Sequence, residues 1–541
     1  MSGRNLLIFI ACFFCRALLA QSGPNRYSEF PDSIATHKVV LDKQSKIISW
    51  ITPQADAYDR FLRGRWGFIL KGIPNSPGPT PRSDYPQYYF YCAYKDQQMI
   101  PDTWMNDVGE KIPNWFESAR LFYQYTGDKR ALEIVTKMAN YAIDHGTSAS
   151  DFAWPDFPYT TTNAGDTVFR GFTSAKRLVL HEVQVDHAGD MGHTYYRLYL
   201  YTGNEKFKSA AIHVADALAR YARVGSASQS VWPYRVVMSD GRITAQYGAN
   251  WMGCYSLLDD LTKAGLGNTV AYRSALSKAR DFILNYPMKT GFWTDGHTDT
   301  DVNSDTYKSN MSASNAALYL FDHPEFDPEY KTDIPDLIQW TEKNFVYRTA
   351  PGEPSTQWGA NIVGEQDEFL PKMDYQTARY AAECARWYAI SGDAAYKEKA
   401  FRSLNWVTYC SDSNGLAFES PLSKGVTSWW SDCYGEGPRM FYHALAAIPE
   451  WAPPGENHIL YSENVLKEVF YKGNKLKYRA TGGSGKEFLR ISFKPSVIRV
   501  NGAAIHKEDN LLKAGYVLKP LGNNDYSLII NRSSGGAVTI E

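Results

Sequence analysis

Beyond residue 20 the chain has five cysteines, Cys92, Cys254, Cys384, Cys410 and Cys433, far apart, odd in number and never in a CxxC pair. That spacing excludes a disulfide framework and leaves them as buried thiols. No segment after residue 20 is apolar over a length that spans a bilayer. Charge of neither sign dominates: 57 Lys and Arg stand against 58 Asp and Glu, which gives no nucleic-acid surface. A phosphate-binding glycine loop, a GxSxG elbow and a paired Cys–His nucleophile are all missing, as are DxDD and DDxxD runs.

What the chain does have is a repeated punctuation: Tyr125-Thr126-Gly127-Asp128, Tyr201-Thr202-Gly203-Asn204 and Ile390-Ser391-Gly392-Asp393. The glycine ends one helix in the left-handed conformation, and the Asp or Asn caps the next. Helical spacing follows each turn, as in Leu132, Val135, Met138 and Ala142, or Tyr396, Ala400, Leu404 and Val407. Two more hairpins fit near Gly267-Asn268 and Asp322-His323-Pro324, and a last helix near Gly437 to Ile448. The hairpins recur about every 55 to 75 residues, so the array carries long insertions.

Residues 1–20, from Arg4 through an apolar run to Ala20, read as a secretory signal peptide, with a lipoprotein anchor at Cys12 as the alternative. Residues 21–109 are loops with one or two helices, one of them from Thr52 to Ile69. The helical repeat occupies 110–452. After Pro453-Pro454-Gly455 the pattern alternates with period two, as in Leu476, Tyr478 and Ala480, and Asn501-Gly502 marks a hairpin. Residues 453–541 are therefore an antiparallel β-domain of sandwich type.

In a closed ring of hairpins, the loops entering the inner helices gather around one funnel. The densest such segment is His181 to His193, where Asp186, Asp190 and His193 share a helix face. A partly buried carboxylate there, close to another, can act as a general acid. Two further carboxylate and tryptophan clusters, Trp358 to Glu368 and Trp429 to Gly437, also precede inner helices. Aromatic faces stack on sugar rings, and paired carboxylates hydrolyse glycosidic bonds. The catalytic candidates are Asp190, Glu365, Asp432, His187 and His193, with Asp367 and Glu368 as solvated loop charges. Tyr247, Asn250, Trp358, Trp430, Arg379 and Asp107 are candidates for binding, and Glu110 belongs with Asp107. The run Asp295 to Asp305 has the density of a calcium loop without its glycine and final glutamate. No zinc ligand spacing is matched, and no metal or cofactor is expected.

The segment Asp190-Met191-Gly192-His193, with Tyr201-Thr202-Gly203-Asn204 and Ala211 to Tyr221, resembles unsaturated glucuronyl hydrolases of the six-hairpin, (α/α)6-barrel glycosidase superfamily. The resemblance implies a mainly α chain built as an (α/α)6 toroid, with Asp190 in the site. It departs from that family at Asn250, where the partner acid would align, and the Gly-Gln-x-Trp signature is absent. The expectation is a secreted or periplasmic glycoside hydrolase acting on a poly- or oligosaccharide, one containing uronic acid among the options. A polysaccharide lyase using Tyr247, His187 or His193 as base, and a non-catalytic glycan-binding protein, are the alternatives.

Overall fold

Gly127, Gly203 and Gly392 adopt φ of 80°, 74° and 74°, so each takes the left-handed conformation that closes a helix. Asp128, Asn204 and Asp393 then accept hydrogen bonds from the amides of Arg130, Lys206 and Ala395, at 3.0, 3.1 and 2.9 Å. These turns organise the computed structural model, which describes residues 36–71, 87–90, 93–95, 100–101, 106–163, 166–174, 177–294, 308–348, 357–365, 372–421 and 429–541. The leader assigned to residues 1–20 and the Asp295–Asp305 run lie outside the described residues, as do Asp367, Glu368 and the side chain of Trp430.

Among the described residues, five helical hairpins follow one another. They are α2 (Val108–Thr126) with α3 (Arg130–His145), α4 (Val185–Thr202) with α5 (Glu205–Tyr221), and α6 (Met252–Ala264) with α7 (Thr269–Asn285). Then come α8 (Asn310–Asp322) with α9 (Tyr330–Phe345), and α10 (Asp374–Ser391) with α11 (Ala394–Val407). The last inner helix, α12 (Asp432–Ala447), has no following partner and packs instead against α1 (Ala57–Leu70) near the other end of the chain. The sixth hairpin is thus assembled from both ends of the repeat. Arg65 of α1 clasps it: buried, it donates to Asp374 Oδ2 at 2.7 Å and to the Cys433 carbonyl at 2.6 Å.

The even-numbered helices form the inner ring, each packed on the next, and α12 closes on α2. Outer helices bury one stripe, as α3 does with Leu132, Val135, Met138 and Ala142, whereas α10 is buried on nearly every face through its first three turns. Close approach needs small residues: a Cβ on Gly189 would lie 2.2 Å from Cys254 Sγ. The final helix begins at Asp432, five residues before the Gly437 read from sequence. Its Gly435 and Gly437 serve helix contact, since a Cβ on Gly437 would meet Asp374 Oδ1 at 2.3 Å. Pro438 removes one helical donor, and Ser118 Oγ donates to the orphaned Tyr434 carbonyl instead, at 2.8 Å.

The C-terminal strands are β1 (His458–Ser462), β2 (Leu466–Lys472), β3 (Lys475–Ala480), β4 (Gly485–Ile491), β5 (Ile498–Val500), β6 (Ala503–Ala504), β7 (Gly515–Gly522), β8 (Asp525–Arg532) and β9 (Gly536–Ile540). They form two antiparallel sheets, ordered β1-β4-β8-β7 and β2-β3-β9-β5-β6. Asn501 and Gly502, with φ of 51° and 83°, make the predicted two-residue turn. Leu476, Tyr478, Leu489, Leu528, Ile530 and Val538 fill the space between the sheets. This domain sits at the C-terminal ends of the inner helices. His458 Nδ1 meets the Tyr125 carbonyl at 2.8 Å, and Leu460, Tyr461 and Val465 join the toroid core. No helix among the described residues is long and apolar enough to cross a membrane.

Candidate functional site

At the N-terminal ends of the inner helices, polar side chains link into a belt with at least one member from each helical pair. Asn250 Nδ2 donates to Asp186 Oδ2 at 3.3 Å, and Asn315 Nδ2 donates to Asn250 Oδ1 at 2.9 Å. Arg379 donates to Asn315 Oδ1 and to Glu436 Oε1. Asn114 Nδ2 donates to Glu110 Oε1 at 3.5 Å, and Asn114 also helps hold the Glu436 carboxyl down. The circle closes through Asp107 Oδ1, which accepts from the Glu110 amide and lies 3.4 Å from His187 Nδ1, while His187 Nε2 is 4.0 Å from Asp186. The four links from Asp186 to Glu436 join residues 64, 65, 64 and 57 apart, the length of one hairpin with its insertion.

Burial and neighbours push the carboxyls of this belt in opposite directions. Glu110 is held well above the usual range by burial and by the adjacent Glu436 and Asp107, with His187 opposing. Burial would also raise Glu436, but Arg379 and Arg439 hold it below its ordinary value. Burial would discharge His187, yet Asp186 and Asp107 keep the imidazole charged well above its usual range. One helical turn below His187, half-buried Asp190 is pushed up to about 7 by burial, aided by Asp186 and opposed by His187 and Arg439. Among the described residues no hydrogen bond holds the Asp190 carboxyl. Asp107, Glu110 and His187 bring ligand-type atoms within 4.8 Å of one another, as do Asp59, Glu456 and His458 away from the cavity. In the first set the His187 imidazolium already supplies a positive charge.

A cavity of about 850 Å³ runs from this level down the axis of the ring. Glu110, Asn114, Asp190, Gly253, Asn315 and Glu436 line its upper part. Its lower part is finished by the β-domain, through Tyr461, Glu463 and the exposed Gly482–Ser484 loop. The β-domain is therefore a wall of the cavity as well as a support.

Asp107, His187, Asn250 and Arg379 belong to the belt and Asp190 lines the upper cavity, while Asp432 lies outside the cavity lining, within charge reach of Asp107 and Glu436. Asp432 enters beside buried Lys111, 3.4 Å from its Nζ, and burial raises its carboxyl. Glu365 is buried and accepts from Gln376 Nε2 at 3.2 Å; its charge reaches Glu110. His193 lies lower in the cavity, with Nε2 3.1 Å from Asp260 Oδ2. Tyr247 packs its ring against Phe282 and Phe292, towards the outer helix α7, and Trp358 lies against the Ile47 strand, whose amide its carbonyl accepts. Asn315, Asn114 and Arg439 were not singled out from sequence, and Glu436 only as part of the Trp429 to Gly437 cluster. The repeat length was the available signal: counting one hairpin on from Asn250 reaches Asn315.

No protein-family model matches the chain, and no curated protein matches its sequence. Solved structures do match its fold. Cellobiose 2-epimerase from Bacillus thermoamylovorans B4167 is similar with a TM-score of 0.50 at 10% identity, over 71% of this chain and 98% of that one. A family 76 glycoside hydrolase from a bovine Bacteroides thetaiotaomicron strain gives 0.45 at 12% identity, over 73% and 78%. An unsaturated glucuronyl hydrolase specific for heparin gives 0.42 at 10% identity, over 72% and 96%. At such identities the likeness is one of fold, and that fold is the (α/α)6 barrel.

Proposed function

We propose that this (α/α)6-barrel chain is a carbohydrate-active enzyme, and specifically a glycoside hydrolase with Asp190 as its general acid. The observation that carries the reading is the Asp190 carboxyl itself: half-buried, free of hydrogen bonds among the described residues, raised to about 7, and facing the cavity. A group so poised keeps a large protonated fraction at neutral pH and can give its proton to a glycosidic oxygen. Asp432, with a quarter of its side chain exposed at 24% and Lys111 as counter-cation, takes the proton of the attacking water. One water enters, the bond to the leaving oxygen breaks, and the proton passes from Asp190 to that oxygen.

The belt keeps these groups in place, since each member is fixed by the next helix. In this reading residues 1–20 direct export, the toroid performs catalysis, and residues 453–541 complete the wall around a poly- or oligosaccharide. The test is release of reducing ends from a glycan panel, with product anomers followed by NMR. Turnover should survive in neither Asp190→Asn nor Asp432→Asn; undiminished turnover in both would end the assignment.

A sugar epimerase or isomerase is the second reading, favoured by the charged His187 between Asp107 and Asp186, a proton donor of another kind. Its product would keep the mass of its substrate, whereas hydrolysis adds water.

A further inference from the structure

We propose that the glycan is neutral, with no uronate carboxylate and no sulfate on the sugars that occupy the cavity; this rests on the glycoside hydrolase reading above. The cavity wall carries nine Asp and Glu side chains against four Lys and Arg side chains among its described lining residues. All four cations already have an anion. Arg120 and Arg197 both hold Glu117, Lys263 lies 2.6 Å from Asp259, and Arg439 lies 3.0 Å from Glu436.

The cations just behind the wall are committed as well, Arg379 to Glu436 and Lys111 to Asp432. The histidines offer no more: His193 faces Asp260, His323 faces Glu325, and burial with Arg386 holds His443 down at about 3, uncharged. An anionic sugar entering this space would give up its water and meet no unpaired cation in return. That combination rejects anions.

Hydroxyl groups fit the same wall. Carboxylate oxygens accept from sugar hydroxyls, Asn315, Thr194 and Ser256 supply neutral partners, and Tyr319 and Met311 offer apolar faces for a ring. A base-catalysed elimination beside a uronate would need a group to neutralise the substrate carboxylate, and the wall keeps none spare. The charge pattern therefore favours hydrolysis of a neutral chain over lyase chemistry.

The experiment compares one library of neutral oligosaccharides with the same library after its primary hydroxyls have been oxidised to carboxylates. Cleavage is read as reducing ends, and binding to the Asp190→Asn protein by calorimetry. The expected result is cleavage and binding of the neutral library, with kcat/KM lower by about 100-fold or more on the oxidised one. Cleavage of the oxidised library at an equal or higher rate would overturn the proposal and leave the hydrolase reading intact. Binding of the neutral library with no cleavage of either would support the neutral ligand and sink the hydrolase reading instead.

Discussion

Asp190 lies directly over Gly253 of the neighbouring inner helix: a Cβ placed on residue 253 would fall 1.6 Å from Asp190 Oδ1 and 3.1 Å from its Cα. Helix α6 leaves a notch there, and the carboxyl occupies it. Gly253→Ala should therefore turn the Asp190 side chain away while leaving the fold in place. Alanine suits a helix better than glycine by about 1 kcal/mol, which offsets part of the crowding. The expected outcome is a melting curve close to that of the parent protein with kcat/KM down by about 100-fold. Full activity in a folded Gly253→Ala protein would show that the notch is not needed.

The Asp190 carboxyl, raised to about 7, sets a pH dependence with a definite sign. The protonated form is the donor, so kcat/KM should be level on the acid side of that value and fall tenfold per pH unit above it. Asp190→Asn removes the proton and should cost about a thousandfold. A profile of kcat/KM against pH from 5 to 9 checks both. A rate that does not decline above about 8 would assign the acid to another residue.

Much of this site was legible from local spacing, and the remainder was not, for a physical reason. The caps at Gly127, Gly203 and Gly392 depend only on adjacent residues, so the hairpins could be placed from sequence. Asp186, Asp190 and His187 share one helix turn and stood out together. Their partners Asn250, Asn315, Arg379 and Glu436 come from other hairpins, and ring closure alone makes them neighbours. Asn315 sits among ordinary helical residues and carries no local mark, while Glu436 lies in the marked Trp429 to Gly437 cluster without any sign of its partner Arg379. The same closure hid the role of α1, which lies before the repeat in sequence yet completes the last hairpin through Arg65. Tyr247 and Trp358 show that an aromatic beside a helix start serves packing as readily as binding.

Glu110 offers a test of the belt through stability. Burial, Glu436 and Asp107 raise its carboxyl in the folded state, so the folded protein holds that proton more tightly than the unfolded chain does. Folding thus loses stability as pH rises past the unfolded value of about 4.3. Glu110→Gln is neutral at every pH. It should melt higher than the parent at pH 8, by on the order of 2 °C, and match it near pH 4. A glutamine protein that melts lower at pH 8 would mean that Glu110 is charged and paired.

Glu117 should behave in the opposite sense. Burial alone would raise its carboxyl, but Arg120 and Arg197 hold it down at about 2, from an ordinary 4.5. Its side chain is 20% exposed, and Arg120, only 4% exposed, also donates to the Ser462 carbonyl of the β-domain at 2.9 Å. The depressed value contributes about 3 kcal/mol at neutral pH, a contribution present above about 4.5 and lost as pH falls through about 2. Glu117→Gln strands two guanidinium groups and should cost about 3 to 5 kcal/mol at pH 7. Urea unfolding of both proteins from pH 7 down to 3 isolates the effect, because the other titrating groups are common to the two. The gap between them should hold from pH 7 to about 4.5 and narrow below that. A gap that stays constant would mean that Glu117 acts through packing, and that its charge does not couple the inner ring to the β-domain.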